Sequence, residues 1–410
     1  MAVASTFQPQ VFPGAPERMA VIDCAAVRSN VRQLKKLIGE RSLIAVVKAD
    51  AYGHGDVQVA RAALEAGADM LGVAHVREAL QLREAGITAP ILAWMHTITT
   101  DFAAALENSI ELGVSGWELE QIAQIAQKRG STATIHLKID TGLGRNGSTA
   151  EQWETLVQRS AELEAEGSVK VRGIFSHLAV ADEPERPETA EQVRVFEDAV
   201  TQAHAAGLNP ELIHLANTPA TLTAHRPTAP EHLLGNASRV GLGLYGLSPL
   251  PGTTAKELGL TPVMTVQTFI NSVKEVPAGQ GVSYGLNYRT DRPTTLALVP
   301  VGYADGVPRT ASGGPVRVYP AGAPAKTYRV VGRIAMDQMV IDLGEPGLTD
   351  PDLGYLGAPV VLFGSGENPP VEEWAEAAGT INYEIVTRIS PRVDRVYLNT
   401  ETPAEESQHA

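Results

Sequence analysis

The chain has 410 residues, 44% hydrophobic and 20% charged, with 33 basic against 47 acidic side chains and a net charge of −14. That is ordinary globular composition for two or three domains. It excludes a wholly disordered chain, and the acidic balance argues against a general nucleic-acid or anionic-membrane binder. The single cysteine, Cys24, leaves no intramolecular disulfide or cysteine zinc cluster. No metal site is expected, and no apolar run reaches the roughly 18 residues of a membrane span. Residues 1–17 read as a flexible tail without the apolar core of a secretion signal, so a cytoplasmic protein is the expectation.

From Ala20–Asp23 onward the chain begins to alternate. Ala20–Asp23 is strand-like and could pair with either domain. Eight further strand-like runs follow: Leu43–Ala49, Met70–His75, Pro90–Met95, Ile110–Ser115, Thr132–Asp140, Lys170–His177, Glu211–Asn217 and Ala237–Leu244. Ala-, Glu- and Leu-rich stretches of helical spacing separate them, several ending in glycine as helix C-termini do. Eight such repeats predict a (β/α)8 TIM-type barrel over residues 18–252. A doubly wound open sheet is the runner-up, and the lack of a Gly-x-Gly-x-x-Gly motif after the first strand counts against it. After Pro249–Gly252 helical stretches become few, and runs such as Met264–Val276, Leu296–Val301 and Val360–Phe363 predict a mainly β C-terminal domain over 253–400. One helix is expected there, at Val371–Ala378. Residues 401–410 read as a disordered tail.

Barrels place their chemistry at the C-terminal ends of the strands. The first strand runs into Lys48, whose amine would lose proton affinity over an apolar mouth and could then form a Schiff base with an aldehyde. A solvated strand-end lysine is the plainer reading of that residue alone. The last strand leads into Ser238-Arg239-Val240-Gly241-Leu242-Gly243, where backbone N–H groups could approach a phosphate. Asn217-Thr218 ends the seventh strand, and Thr218 could cap a helix or donate to that phosphate. His177 ends the sixth, and Arg145 sits in the glycine-rich run Lys138–Gly147. An amine, a glycine loop and arginines at one mouth fit a phosphate-bearing aldehyde cofactor, pyridoxal 5'-phosphate.

The run Ala45-Val46-Val47-Lys48-Ala49-Asp50-Ala51-Tyr52-Gly53-His54-Gly55 resembles the cofactor-lysine motif of the alanine racemase family. The resemblance continues through Lys138–Gly147, Gly173–His177, His214–Thr218, Arg239–Gly246, Val282–Gly285, Gly302–Gly306, Arg333–Asp337 and Ile381–Ile385, from about residue 18 to 398. It implies a pyridoxal-phosphate barrel followed by a β domain, and an isomerase that interconverts L- and D-alanine for peptidoglycan synthesis. It implies that Lys48 holds the cofactor covalently and serves as one catalytic base, with Tyr284 as the other. Tyr52, Asn217, Thr218, Gly241, Leu242 and Tyr383 would bind the cofactor, chiefly its phosphate, with threonine at 218 where the family often has serine. Arg239 would face the pyridine nitrogen and His177 the ring. Arg145 would contact the cofactor's phenolic oxygen and the substrate carboxylate, and Met336 would offer that carboxylate its backbone N–H. Tyr303 and Tyr383 would narrow the entrance. Lys138 matches a position that is carbamylated in some members. The resemblance also implies a homodimer whose two sites are shared between subunits. A serine or broad-specificity racemase of the same fold is the alternative. Arg239 argues against a decarboxylase, since decarboxylases of this fold type set a carboxylate at the pyridine nitrogen. The β domain argues against a single-barrel cofactor carrier.

Overall fold

The computed structural model describes residues 14–400. Residues 1–13 of the expected N-terminal tail, and the whole expected tail 401–410, lie outside the described residues. The chain divides into two compact units. One comprises Val27–Ala51 and Asp56–Thr261; the other gathers the chain up to Ala26, Tyr52–Gly55 and everything from Pro262. This division differs from the expected boundaries at 18 and 252. The reason at the N-terminus is pairing: strand β1 (Arg18–Asp23) lies between two strands of the second unit, and its Met19–Ile22 run is buried.

The first unit holds eight parallel strands, β2 (Ser42–Val46), β3 (Met70–Val73), β4 (Ile91–Ala93), β5 (Glu111–Val114), β6 (Ala133–Lys138), β7 (Val169–Phe175), β8 (Leu212–His214) and β9 (Ala237–Val240). Each overlaps one of the eight expected runs, with β2 and β7 each starting one residue before theirs. Their order, β8-β7-β6-β5-β4-β3-β2-β9, is that of a barrel. The two ends meet through backbone bonds from Asn236 N–H to Ile213 O (3.0 Å) and from Arg239 N–H to Ala216 O (2.9 Å). Such strands are covered on both faces, which is why they read as continuous apolar runs rather than as alternation. Ile44, Met70, Leu92 and Ala237 form part of the core, with Trp94 and Leu212 against them.

The main helices of this unit are α1 (Cys24–Ile38, from Val27 on), α3 (Asp56–Glu65), α4 (Val76–Glu84), α5 (Phe102–Glu107), α6 (Glu118–Arg129), α7 (Ala150–Ala165) and α8 (Glu188–Ala205), with the short turns α2 (Lys48–Gly53, as far as Ala51) and α9 (Thr218–Thr223) at the strand ends. Helix α6 stops at Gly130, which takes the left-handed φ of 63° and returns its N–H to the last turn. Trp153 of α7 is fully buried and donates Nε1–H to Ala199 O of α8 at 3.0 Å. Trp153→Ala removes that bond and leaves a large cavity, so it should cost about 3–5 kcal/mol, read as a lower midpoint in urea unfolding.

The second unit is a nine-stranded sheet. After β1 come β10 (Met264–Phe269), β11 (Ser272–Val276), β12 (Gly281–Val282), β13 (Tyr288–Arg289), β14 (Thr294–Val299), β15 (Pro315–Val318), β16 (Lys326–Val331), β17 (Met339–Asp342), β18 (Pro359–Phe363) and β19 (Asp394–Leu398), with helices α10 (Val371–Ala378) and α11 (Asn382–Thr387). The sheet order is β11-β14-β17-β16-β15-β18-β10-β1-β19, antiparallel except where β1 runs beside β19. Hairpin β12–β13 stands outside it and packs Val282 and Tyr288 on Val276, Leu296, Val331 and Val340. The expected run Met264–Val276 is two strands, and α11 was not expected.

Candidate active site

Lys48 does not close a strand as expected. Strand β2 ends at Val46, and Lys48 opens α2, a turn whose next four residues all have positive φ: Ala49 53°, Asp50 54°, Ala51 50° and Tyr52 54°. This is a left-handed helical turn of non-glycine residues, a conformation that costs about 1–2 kcal/mol per residue. Specific bonds offset the strain. The Glu78 carboxylate accepts N–H from Ala49 (2.7 Å), Ala74 (2.8 Å) and His75 (3.0 Å). Ala51 donates to Val47 O at 2.9 Å, and Gly53 O accepts from Arg395 Nε at 3.1 Å. At Gly53 only glycine fits, because a Cβ would lie 2.6 Å from Val386 O at a φ of 81°.

Within the barrel, Lys48 joins a cationic cluster. Its amine is lowered from the ordinary lysine range, first by burial and then by Arg145, with Glu78 opposing. Burial, then Arg239 and Arg145, brings Lys138 down to about 8. Its Nζ donates to Asn146 Oδ1 at 2.5 Å and lies 5.5 Å from the Phe175 ring centroid. His177 falls to about 3, by burial and then by Arg239, Arg145, Lys138 and Lys48 in turn, so it is neutral at physiological pH. Four basic groups around a neutral imidazole make a site for an anionic ligand. Arg145 itself is exposed, on a loop tied by Asp140, whose carboxylate accepts from Gly142 (3.0 Å) and Gly144 (3.2 Å).

At the end of β8, Asn217 rather than Thr218 caps α9, accepting from Ala220 N–H at 3.3 Å. Thr218 is buried, and its hydroxyl oxygen accepts from the backbone N–H of Gly241 (3.1 Å) and Gly243 (3.4 Å). The Thr218 hydroxyl accepts these N–H groups and so keeps its own proton for a ligand, and it lies beside Gly241 and Leu242, a neighbourhood suited to a phosphate.

Arg239 is buried, and burial lowers it to about 9. Nη1 donates to His214 O and to His214 Nδ1 (3.1 Å); Nη2 donates to Ser176 O (2.5 Å) and Leu215 O (3.2 Å). These bonds use four of the five guanidinium protons and leave Nε–H for a ligand. Each of these acceptors is neutral, and among the described residues no carboxylate bonds Arg239.

The other expected residues belong to the second unit. Tyr52 and Tyr383 have ring centroids 6.1 Å apart, and burial, then Tyr383, pushes the Tyr52 phenol up. Tyr284 starts the tight turn between β12 and β13 and is 67% exposed. The turn needs glycine at 285, with φ 79°, where a Cβ would lie 3.2 Å from Arg333 Nη1. Ser283 Oγ donates to Arg333 O at 2.5 Å. Tyr288, the other phenol of this hairpin, four residues on, is committed elsewhere: its hydroxyl donates to Asp342 Oδ2 at 2.7 Å, and burial followed by that bond raises it to about 12. Met336 is exposed, and its carbonyl accepts from Ala304 N–H at 2.9 Å. Tyr303 is held by donation to Ala335 O at 3.1 Å. Among the described residues no group of three acidic, histidine or cysteine side chains could hold a metal ion.

Sequence reasoning missed Glu78, Glu111, His136 and the role of His214. The signal was present for two of them: Glu111 and His136 are ionisable residues inside apolar strand runs, where an unpaired polar group is costly.

Models of the alanine racemase N-terminal domain and C-terminal domain match residues 22–249 and 263–397. The alanine racemase of Beutenbergia cavernae is 47% identical over 384 residues, covering 92% of this chain and 97% of that protein. That of Streptomyces coelicolor is 48% identical over 391 residues, covering 93% and 95%. The crystal structure of alanine racemase from Streptomyces lavendulae superposes with a TM-score of 0.87 at 49% identity, over 93% of this chain and 97% of that one. The chain belongs to the alanine racemase family.

Proposed function

We propose that this protein is a pyridoxal-phosphate-dependent isomerase that interconverts L- and D-alanine, and that it supplies D-alanine for peptidoglycan. The observation that carries the reading is the barrel's cationic cluster: a lysine amine of lowered proton affinity beside Arg145, Lys138 and an Arg239 bonded to neutral acceptors. Its donor chemistry fits the cofactor, with an amine for the aldehyde, the Thr218 hydroxyl beside Gly241 and Leu242 for the phosphate, and cations for the remaining negative charge. When bound, pyridoxal phosphate supplies an electron sink for negative charge at the substrate Cα. Tyr52, Tyr383 and Asn217 complete its binding by kinship to the family. With the cofactor bound, Arg239 would offer Nε–H to the ring nitrogen and would keep it unprotonated, because the guanidinium does not readily give up its proton. His177, neutral, would lie against the ring. Arg145 and the Met336 N–H bind the substrate carboxylate.

Lys48 holds or releases the proton on one face of Cα, and Tyr284 does so on the other. A phenol 67% exposed on a single chain needs a cover to work as a base. Leu286, Met336 and Ile381 are exposed on the same unit, and a second copy of this chain would cover them. A homodimer with shared sites is therefore part of the proposal. So is a cytoplasmic location: no helix among the described residues is long and apolar enough to cross a membrane, and the cell wall's D-alanine is made inside the cell. Incubation with L-alanine and the cofactor, followed by chiral chromatography, should yield equal amounts of the enantiomers. Serine and other amino acids should turn over far more slowly, and preferential turnover of serine would replace alanine as the substrate.

We further assign a carbamate to Lys138. At a value of about 8 a useful fraction of the amine has already given up one proton at neutral pH; that free amine attacks carbon dioxide and loses a second proton, so that overall a cation becomes an anion. That anion would hold Arg145 by a charge-assisted hydrogen bond. Lys138→Ala should lower kcat about ten-fold, the scale of one such bond, with partial rescue by small carboxylates. A bare amine in electron density would refute the assignment.

A further inference from the structure

Behind Arg239, the barrel interior holds a chain of ionisable groups that the mechanism above does not use. His214 Nε2 meets His136 Nδ1 at 2.9 Å, and His136 Nε2 meets Glu111 Oε2 at 2.7 Å. Glu111 Oε1 accepts from Arg172 Nη1. Both histidines are fully buried and Glu111 nearly so. Donor capacity fixes the direction of every bond. Arg239 can only donate, so His214 Nδ1 accepts and its proton sits on Nε2. That proton goes to His136 Nδ1, which places the second imidazole's proton on Nε2, facing the Glu111 carboxylate. One file of donors thus runs Arg239, His214, His136, Glu111. The packing is built for it. Phe175 stacks on His214 with ring centroids 5.0 Å apart and planes 5° apart, and the Arg239 guanidinium carbon lies 5.4 Å from the centroid of that ring. Gly173 makes room for His136, since a Cβ there would lie 2.2 Å from Nδ1. The far end, Glu111, borders a cavity of about 270 Å³ that Arg83, Ser109, Thr132 and Thr134 also line.

We propose that Glu111 and His136 are positioning residues: through His214 they orient Arg239 and stabilise its charge against the cofactor's ring nitrogen. The inference rests on the reading of Arg239 given above. A buried charge is stabilised by an aligned chain of dipoles ending on an opposite charge, and that stabilisation is lost if one link turns. With the file broken, Arg239 shifts, the ring nitrogen takes a proton more often, and the negative charge spreads away from the substrate Cα. More turnovers then end in transamination.

The test uses Glu111→Gln, which removes the terminal charge but keeps an acceptor, and Gly173→Ala, which displaces His136 without removing any side chain of the file. In each holoenzyme kcat should fall about ten-fold, the scale of one hydrogen bond to a charged group. KM for alanine should hold, and the fraction of turnovers ending in pyruvate should rise about ten-fold. The apoprotein gives an independent readout. Nitrogen-15 spectra of wild type should show both ring protons on Nε2, slow to exchange, and both signals should move in Glu111→Gln. A lower thermal midpoint with kcat and pyruvate fraction unchanged in both variants would make the file merely structural and overturn the proposal. So would an Nδ1-protonated ring on either histidine in wild type. A wild-type protein that neither binds pyridoxal phosphate nor racemises alanine would retire the functional reading, and the positioning role with it. Wild-type activity with unresponsive variants would retire the relay alone.

Discussion

Lys48→Ala is expected to abolish racemisation in both directions, by about 10⁴-fold or more, the scale on which loss of a covalent catalytic group is felt. The residue carries two roles at once, anchor for the cofactor and base for one face of Cα. Its placement explains why neither role passes to a neighbour. The left-handed turn from Ala49 to Tyr52 fixes the backbone that follows it, and Glu78 ties that turn to the start of α4. Lys138, the other buried amine, is bonded to Asn146. Borohydride treatment followed by peptide mapping should find the cofactor on Lys48 in wild type and on no lysine in the variant. A reducible link on Lys138, or retention of normal activity, would contradict the assignment.

Tyr284→Phe carries the second large effect. The hydroxyl alone is removed, so the tight turn at Gly285 and the hairpin beneath it should remain. Loss of one acid–base group costs about 10²–10⁴-fold, and the loss should be unequal between the enantiomers. A single fixed base can return a proton only to the face it came from. With Lys48 intact, the variant should still exchange the α-proton of D-alanine with solvent deuterium, slowly, while L-alanine keeps its own. Tyr288→Phe is the control: its hydroxyl is bonded to Asp342, and its removal should act on the hairpin's stability and not on the asymmetry. Equal loss of exchange for both enantiomers would leave only one base in the site, and wild-type activity in Tyr284→Phe would eliminate it as the second.

Much of this was legible in the sequence, for identifiable reasons. A barrel strand is covered on both faces, so each of the eight appears as an apolar run of fixed length between helical stretches. Local periodicity suffices to place it. The stretch Val46–Gly55 defeated the same reasoning. Val46, Val47 and Ala49 prolong the apolar run, but the chain turns into left-handed geometry at Ala49, a choice no propensity favours. Bonds from Glu78 and Arg395, distant in sequence, hold it there. Strand β1 was legible as a strand but not as part of the second sheet, because pairing to β10 and β19 is a long-range event. Position picked out Lys48, Arg145, His177, Thr218 and Arg239 as candidates, and only the resemblance to the family gave them roles. What made Arg239 effective was not legible, because Glu111, His136 and His214 come from three strands, and only barrel closure aligns them. Between the two phenols four residues apart, the Ser-Tyr-Gly motif already favoured Tyr284, and the bond to Asp342 commits Tyr288 elsewhere.

The claim that Lys48 and Tyr284 work on opposite faces is tested most directly on the wild-type protein, by converting L-alanine in deuterium oxide and analysing the first D-alanine formed. With two bases, the proton taken by one is not the proton given by the other. The earliest D-alanine should therefore carry deuterium at Cα, while the remaining L-alanine still carries protium. Early D-alanine that retains the original protium would mean that one group carries the proton across, and would contradict the account.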